Sequence, residues 1–340
     1  MLKKTVLRAG CVLATLLVAN QALALNILLT NDDGFESAQI RALYASLEAR
    51  GHSVVISAPA QNHSGSGGAM NFLQPIGPLT RPTRGGTVPA GEPGVGRDRS
   101  DPDIHYVNGT PVMSLLYGLD VIASRKWGAA PDLVISGPNE GNNQGMINPA
   151  SGTFNNALFA INRGIPAIAV STGEVAQKNG LPTDPGATEF RIASLVVALI
   201  ERIERNNERA HRRTSFLPPG TGLNVNVPKF DPAHGCTPEK YHFTRVGTAT
   251  AYQPVFFEKL SESPAAVSFG AASPLPGISF VLAGGKAPAG VRLVEDDDPD
   301  SEANANQECF ISISPIQGVP EASAANARAV RARLRGIPTK

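Results

Sequence analysis

The chain has 340 residues, 42% of them hydrophobic and 17% charged, enough to bury a full core. Thirty basic residues against 29 acidic ones leave a net charge of +1, and that balance excludes a binder of nucleic-acid backbones, which would carry a basic surplus. Three cysteines with no CxxC spacing and no Cys/His cluster argue against a structural zinc domain.

Lys3, Lys4 and Arg8 precede an apolar run from Val12 to Val18 and the small-residue pattern Ala22-Leu23-Ala24. Residues 1–24 are therefore predicted to be a secretory signal peptide cut after Ala24. The run is too short to span a bilayer, and no later segment is long and apolar enough to do so. The expected product is a near-neutral periplasmic or secreted protein with neither a membrane nor a nucleic-acid polymer as partner. In an oxidising compartment its two cysteines, Cys236 and Cys309, favour one disulfide over two free thiols.

Leu25–Thr30 reads as a short buried strand, stopped by Asn31-Asp32-Asp33-Gly34. Ser37–Arg50 follows as a helix, with Ile40, Leu43, Tyr44 and Leu47 on one face. The adjacent carboxylates thus sit on a strand-to-helix loop, where open α/β sheets place ligands. Two readings stand there: a turn with two solvated acids, or a hard-cation site in which a metal offsets their repulsion. Further strands are predicted at Ser53–Ala58, Asp132–Ser136, Ile165–Ser171, Leu223–Val227 and Phe310–Ile316, and helices at Ser151–Arg163 and Phe190–Asn206. This alternation predicts an α/β fold: a Rossmann-like, doubly wound, mostly parallel sheet. Residues 25–316 are expected to form the domain, with inserted loops near 75–103 and 259–307 and a helical C-terminal extension at 317–340. The acidic run Glu295–Asp298 reads as a solvated loop rather than a cation site.

Three further loops carry chemistry that converges with Asp32 and Asp33: Asn62-His63-Ser64-Gly65, Ser136-Gly137-Pro138-Asn139-Glu140-Gly141, and Ser151-Gly152-Thr153 at a helix start. Neutral serine and asparagine oxygens complete a hard-cation site begun by carboxylates, and a helix start suits a phosphate. His63 reads as a solvated loop histidine and Glu140 as an accessory or surface acid.

The segments T-N-D-D-G, A-P-A-Q-N-H-S-G-S-G, N-G-T-P, P-D-L-V-I-S-G-P-N-E-G-N-N-Q-G, S-G-T, G-I-P-A-I-A-V-S and L-N-V-N-V-P occur here in an order that resembles the SurE survival-protein family of metal-dependent nucleotidases and acid phosphatases. The resemblance runs from Leu25 to about Pro228 and resumes weakly after Phe310. It implies that Asp32, Asp33, Ser64 and Asn139 bind one divalent metal ion, Mg²⁺ or Mn²⁺, with Asp32 and Asp33 also catalytic. Asn62, Ser151 and Thr153 would lie around the substrate phosphate. The implied substrate is a nucleoside monophosphate, with a broad-specificity exported acid phosphatase as the alternative enzyme and a non-catalytic metal- or ligand-binding relative as the alternative of another class. The family's habit of exchanging C-terminal segments implies a homodimer or homotetramer. Pro138-Asn139-Glu140 resembles the secreted acid-phosphatase-like branch, while Met113, Phe159 and Met146-Ile147-Asn148-Pro149-Ala150 depart from the common bacterial pattern without removing a metal ligand.

Overall fold

A computed structural model of the chain describes residues 24–174, 177–211, 215–282, 284–319 and 324–333. The signal peptide expected at 1–24 therefore lies, but for Ala24, outside the described residues.

The first strand, β1 (Asn26–Thr30), pairs in parallel with β2 (Ser53–Pro59) on one side and β5 (Leu133–Glu140) on the other. Beyond β2 lie β4 (Ile104–Val107) and the antiparallel β3 (Val95–Arg97). Beyond β5 lie β6 (Ala167–Thr172), β7 (Thr221–Val227), the antiparallel β11 (Ile311–Gln317) and β8 (Tyr241–Phe243). The order β3-β4-β2-β1-β5-β6-β7-β11-β8 makes the expected mostly parallel sheet. It reverses direction between β1 and β5, and an open sheet of this kind forms a ligand crevice at such a switch point.

Alternation along the strands explains why both faces are covered. Ile27 and Leu29 point to one layer with Ile40, Leu43 and Leu47 of helix α1 (Ala38–Glu48) and Val196 and Ile200 of α5 (Thr188–Arg209). Leu28 and Val134 point to the other, against Leu115 of α2 (Pro111–Tyr117) and Ala157 and Ile161 of α4 (Gly152–Asn162). Helix α2 runs on through a π-helical turn, Gly118–Ala123, into the short α3 (Ser124–Trp127). Strands β3 and β4 are too short to mark themselves in the sequence, and the helical stretch from Pro111 to Trp127 was not among the expected elements although Val112, Leu115, Leu119 and Ile122 recur at helical spacing.

Three expectations change. The segment 75–103 is not simply exposed: Leu79, Thr83 and Val88 are buried and its end forms β3. The alternation Leu223-Asn224-Val225-Asn226-Val227 is the pattern of a half-buried strand, yet it does not leave its asparagines in water. Asn224 and Asn226 are both fully buried, because Glu302 of α7 (Glu302–Gln307) covers them and accepts from both side-chain amides. The long segment 259–307 is also more than a loop. After β9 (Tyr252–Phe257) it supplies α6 (Pro264–Ser268), the antiparallel β10 (Gly277–Leu282) and α7. Within it the acidic run is structural, Asp296 accepting from the Thr248 amide at 2.7 Å and Asp298 pairing with Arg245.

Cys236 and Cys309 are joined in a disulfide. The final helix, α8 (Ala324–Arg333), falls within the tail expected to be helical. No helix among the described residues is long and apolar enough to cross a membrane.

Candidate functional site

The loop after β1 makes the turn its sequence allowed. Asn31 makes the turn, its side chain accepting from the Gly34 amide at 3.1 Å and donating to the Gly34 carbonyl at 3.0 Å. Gly34 takes φ +109°, a conformation that a side chain would resist. The two acids, however, are not solvated: Asp32 and Asp33 are 2% and 1% exposed.

Each is held from a different element. Helix α4 begins against Asp32: the Thr153 hydroxyl donates to Asp32 Oδ1 at 2.7 Å, and the Gly152 and Thr153 amides also face this carboxylate. A Cβ on Gly152 would lie 2.6 Å from Asp32 Cβ, so only glycine lets the helix start this close. Ser151 caps the helix, its Oγ accepting from the Phe154 amide at 3.0 Å. Asp33 is met from β5, where the Glu140 amide donates to Asp33 Oδ2 at 3.0 Å. The β5–β6 pairing shifts register between Ser136 and Asn139, an irregularity of the kind that re-aims side chains beside active sites. Just past it, Asn139 Nδ2 donates to the Gly141 carbonyl at 2.7 Å, while Asn139 Oδ1 is buried with no partner.

The loop after β2 closes the rim. The His63 amide donates to the Asp32 carbonyl at 2.8 Å. Asn62 reaches Asp33 Oδ1 with its Nδ2 at 3.4 Å, and its Oδ1 accepts from the Ser64 amide at 2.8 Å. Asn62 and Ser64 are the exposed members of the cluster, whereas Ser151 and Thr153 lie beneath it. Burial, reinforced by Arg81, holds the His63 imidazole below its ordinary range, so it is neutral at neutral pH.

Burial pushes the Asp32 carboxyl up, against the hydrogen bonds from Thr153. The Asp33 carboxyl is pushed well above the usual range by burial first, then by the charges of Asp32 and Glu140. Two buried carboxylates in contact raise each other's cost of ionising, and a divalent cation removes it. Among the described residues no three His, Cys, Asp or Glu side chains form a metal-binding group, so a cation here needs neutral oxygens as well. The partnerless Asn139 Oδ1 and the Ser64 hydroxyl have that chemistry, and the residues fit a hard divalent ion.

Sequence reasoning missed three contributors. Arg84, from the inserted segment, is nearly buried and donates to the Asp33 carbonyl at 2.8 Å and to both Glu140 oxygens at 2.9 and 3.1 Å. Glu36 anchors the turn that carries Arg84. Tyr252, on β9, donates its hydroxyl to the Asn142 carbonyl, and burial together with the nearby Asp32 and Asp33 charges raises its phenol. Nothing in the spacing of these residues marks them; Glu36, two positions past Gly34, was the nearest to a signal.

A doubly wound sheet with buried carboxylates at its switch point defines a Rossmann-like α/β protein with a candidate metal centre. The family model for survival protein SurE matches residues 27–253, and the chain belongs to the SurE family. An acid phosphatase of Yarrowia lipolytica is 36% identical over 235 residues, covering 67% of this chain and 64% of the relative. A 5'-nucleotidase SurE of Methanocella arvoryzae is 33% identical over 216 residues, covering 63% and 68%. The chain thus matches about two thirds of the length of these relatives. The crystal structure of the SurE protein from Aquifex aeolicus shares the fold, with TM-score 0.58, 24% identity, and coverage of 91% of this chain and 98% of that one.

Proposed function

We propose that the protein is a metal-dependent phosphomonoesterase that hydrolyses nucleoside monophosphates, with Asp32, Asp33, Asn139 and Ser64 holding one Mg²⁺ or Mn²⁺. The observation that carries this reading is the partnerless, buried Asn139 Oδ1 one residue from the amide that bonds Asp33. Membership of a family whose similar members are named 5'-nucleotidase SurE and acid phosphatase supports the phosphomonoester as substrate. A divalent ion supplies Lewis-acid polarisation of a phosphoryl oxygen and alignment of the ester for attack by water.

The chain's own residues do the rest. Thr153 and the α4 amides orient Asp32, whose carboxylate would hold the ion or take the proton of the attacking water. Asn62, exposed on the rim, would donate its side-chain amide to an incoming phosphate. Thr153 serves the site through Asp32, and Ser151 through the helix cap, more than through direct contact with substrate.

The test is phosphate release from 5'- and 3'-nucleoside monophosphates and p-nitrophenyl phosphate, each with Mn²⁺. Faster turnover of nucleotides is expected; equal rates on all three would make the chain a general acid phosphatase, and none would leave a binding protein.

Self-association accompanies this reading. On the β9–β10 ribbon Phe256, Ile278 and Leu282 are mostly exposed, and Phe280 partly so, an apolar face of the kind that marks an interface. A homodimer or homotetramer is expected by light scattering, and a monomer at all concentrations would refute it. Export of the chain, periplasmic or secreted, rests on residues 1–24, and an intact Met1 on protein recovered from cells would contradict it.

A further inference from the structure

The inserted segment reaches the site through one tightly specified turn. Glu36 is 1% exposed, and its carboxylate gathers residues 83–87: it accepts from the Thr83 hydroxyl at 2.9 Å, the Gly85 amide at 2.5 Å, the Thr87 amide at 2.9 Å and the Thr87 hydroxyl. The Arg84 amide is tied to the Ala60 carbonyl at 3.0 Å. Four bonds to a buried carboxylate fix the backbone on both sides of Arg84, so the guanidinium enters the site on a rigid support.

There it meets two acids unequally. One nitrogen takes both oxygens of Glu140, while the other lies 4.0 Å from Asp33 Oδ1, outside hydrogen-bond range, and is spent on the Asp33 carbonyl. When ionised, as a bound cation requires, Asp32, Asp33 and Glu140 supply three negative charges and Arg84 one positive. With Arg84 neutralised by Glu140, two charges remain, the number that a divalent ion cancels. Without the Glu140 charge, the same guanidinium is the nearest cation to Asp33 and competes with the metal for it.

We propose that Glu140 is a positioning residue that holds the Arg84 guanidinium away from the Asp33 carboxylate, and so keeps Asp33 available to a divalent cation. The inference rests on the reading of Asp32 and Asp33 as metal ligands. It makes the inserted segment part of the site and gives Arg84 a cost as well as a use: the arginine braces the Asp33 backbone, and Glu140 confines it to that task.

The test is calorimetric titration of Mn²⁺ into the full chain and its variants, with no substrate present. Glu140→Gln keeps the shape but frees Arg84, and should weaken Mn²⁺ binding about 10- to 100-fold. Adding Arg84→Gln to that variant removes the competitor and should recover most of the loss, whereas residues acting only as packing would lose further. Glu140→Asp retains the charge and should stay close to the wild type, a check that remains readable if Glu140→Gln folds poorly. Unchanged affinity in Glu140→Gln, or a double variant no tighter than the single, overturns the inference. A wild type that binds no Mn²⁺ overturns the metal reading itself.

Discussion

Gly152 shapes the site by having no side chain. Its missing side chain lets α4 start against Asp32, and a Cβ there would also lie 2.8 Å from Pro111. Gly152→Ala must therefore move either the helix or the carboxylate. Overpacking of this kind costs about 1–3 kcal/mol, and the expected result is a lower urea midpoint together with reduced turnover at saturating Mn²⁺. A variant with wild-type midpoint and rate would show that the close approach does not set the position of Asp32. Asn31 makes a related point. Its Asx bonds account for the turn, which frees Asp32 and Asp33 from any turn-forming duty and leaves burial of two carboxylates as the feature that needs a function.

At the scale of elements, the chain spends its insertions on covering polar faces. Helix α7 places Glu302 against Asn224 and Asn226 of β7, and Asn143, next along the site loop, accepts from the same two amides through its carbonyl. Burial pushes the Glu302 carboxyl up to about 8. The folded chain thus keeps this proton over a range in which the unfolded chain, near the ordinary 4.5, has lost it. The resulting stabilisation is present below about pH 4.5 and is lost as pH rises to about 8. Glu302→Gln should flatten that part of the profile, with its advantage over the wild type growing from pH 5 to pH 8 in urea unfolding. Parallel profiles for the two proteins would contradict it. The same element explains what the sequence hid. Alternation in Leu223–Val227 is a true strand signal, but the cover for its polar face comes from residues about eighty positions later, and no local pattern announces it.

Across the whole molecule, legibility followed locality. The strands β1, β2, β5 and β6 are short apolar runs closed by turn residues, so their ends could be read, and with them Asp32, Asp33, Asn62, Ser64 and Asn139 on one edge of the sheet. Helix α4 was equally plain, from the Ser151 cap to Gly164. Strands β3 and β4 are three and four residues long and gave no periodicity to detect. Arg84 was invisible for a different reason: it stands in a Pro- and Gly-rich stretch, and its partners Asp33 and Glu140, like the Glu36 that holds its neighbours Thr83 and Gly85, lie about fifty residues away on either side. The disulfide between Cys236 and Cys309 joins the end of the β7 loop to the start of β11, and so fastens the antiparallel extension onto the parallel sheet.

The proposed activity requires that the two buried aspartates hold a divalent ion. Its most direct test is phosphate release from a nucleoside 5'-monophosphate by the metal-stripped chain in chelator, before and after excess Mn²⁺ is added, beside Asp33→Asn. The expected result is background release in chelator, recovery with Mn²⁺, and no recovery in the variant. Undiminished release in chelator, or full activity of Asp33→Asn, would contradict it.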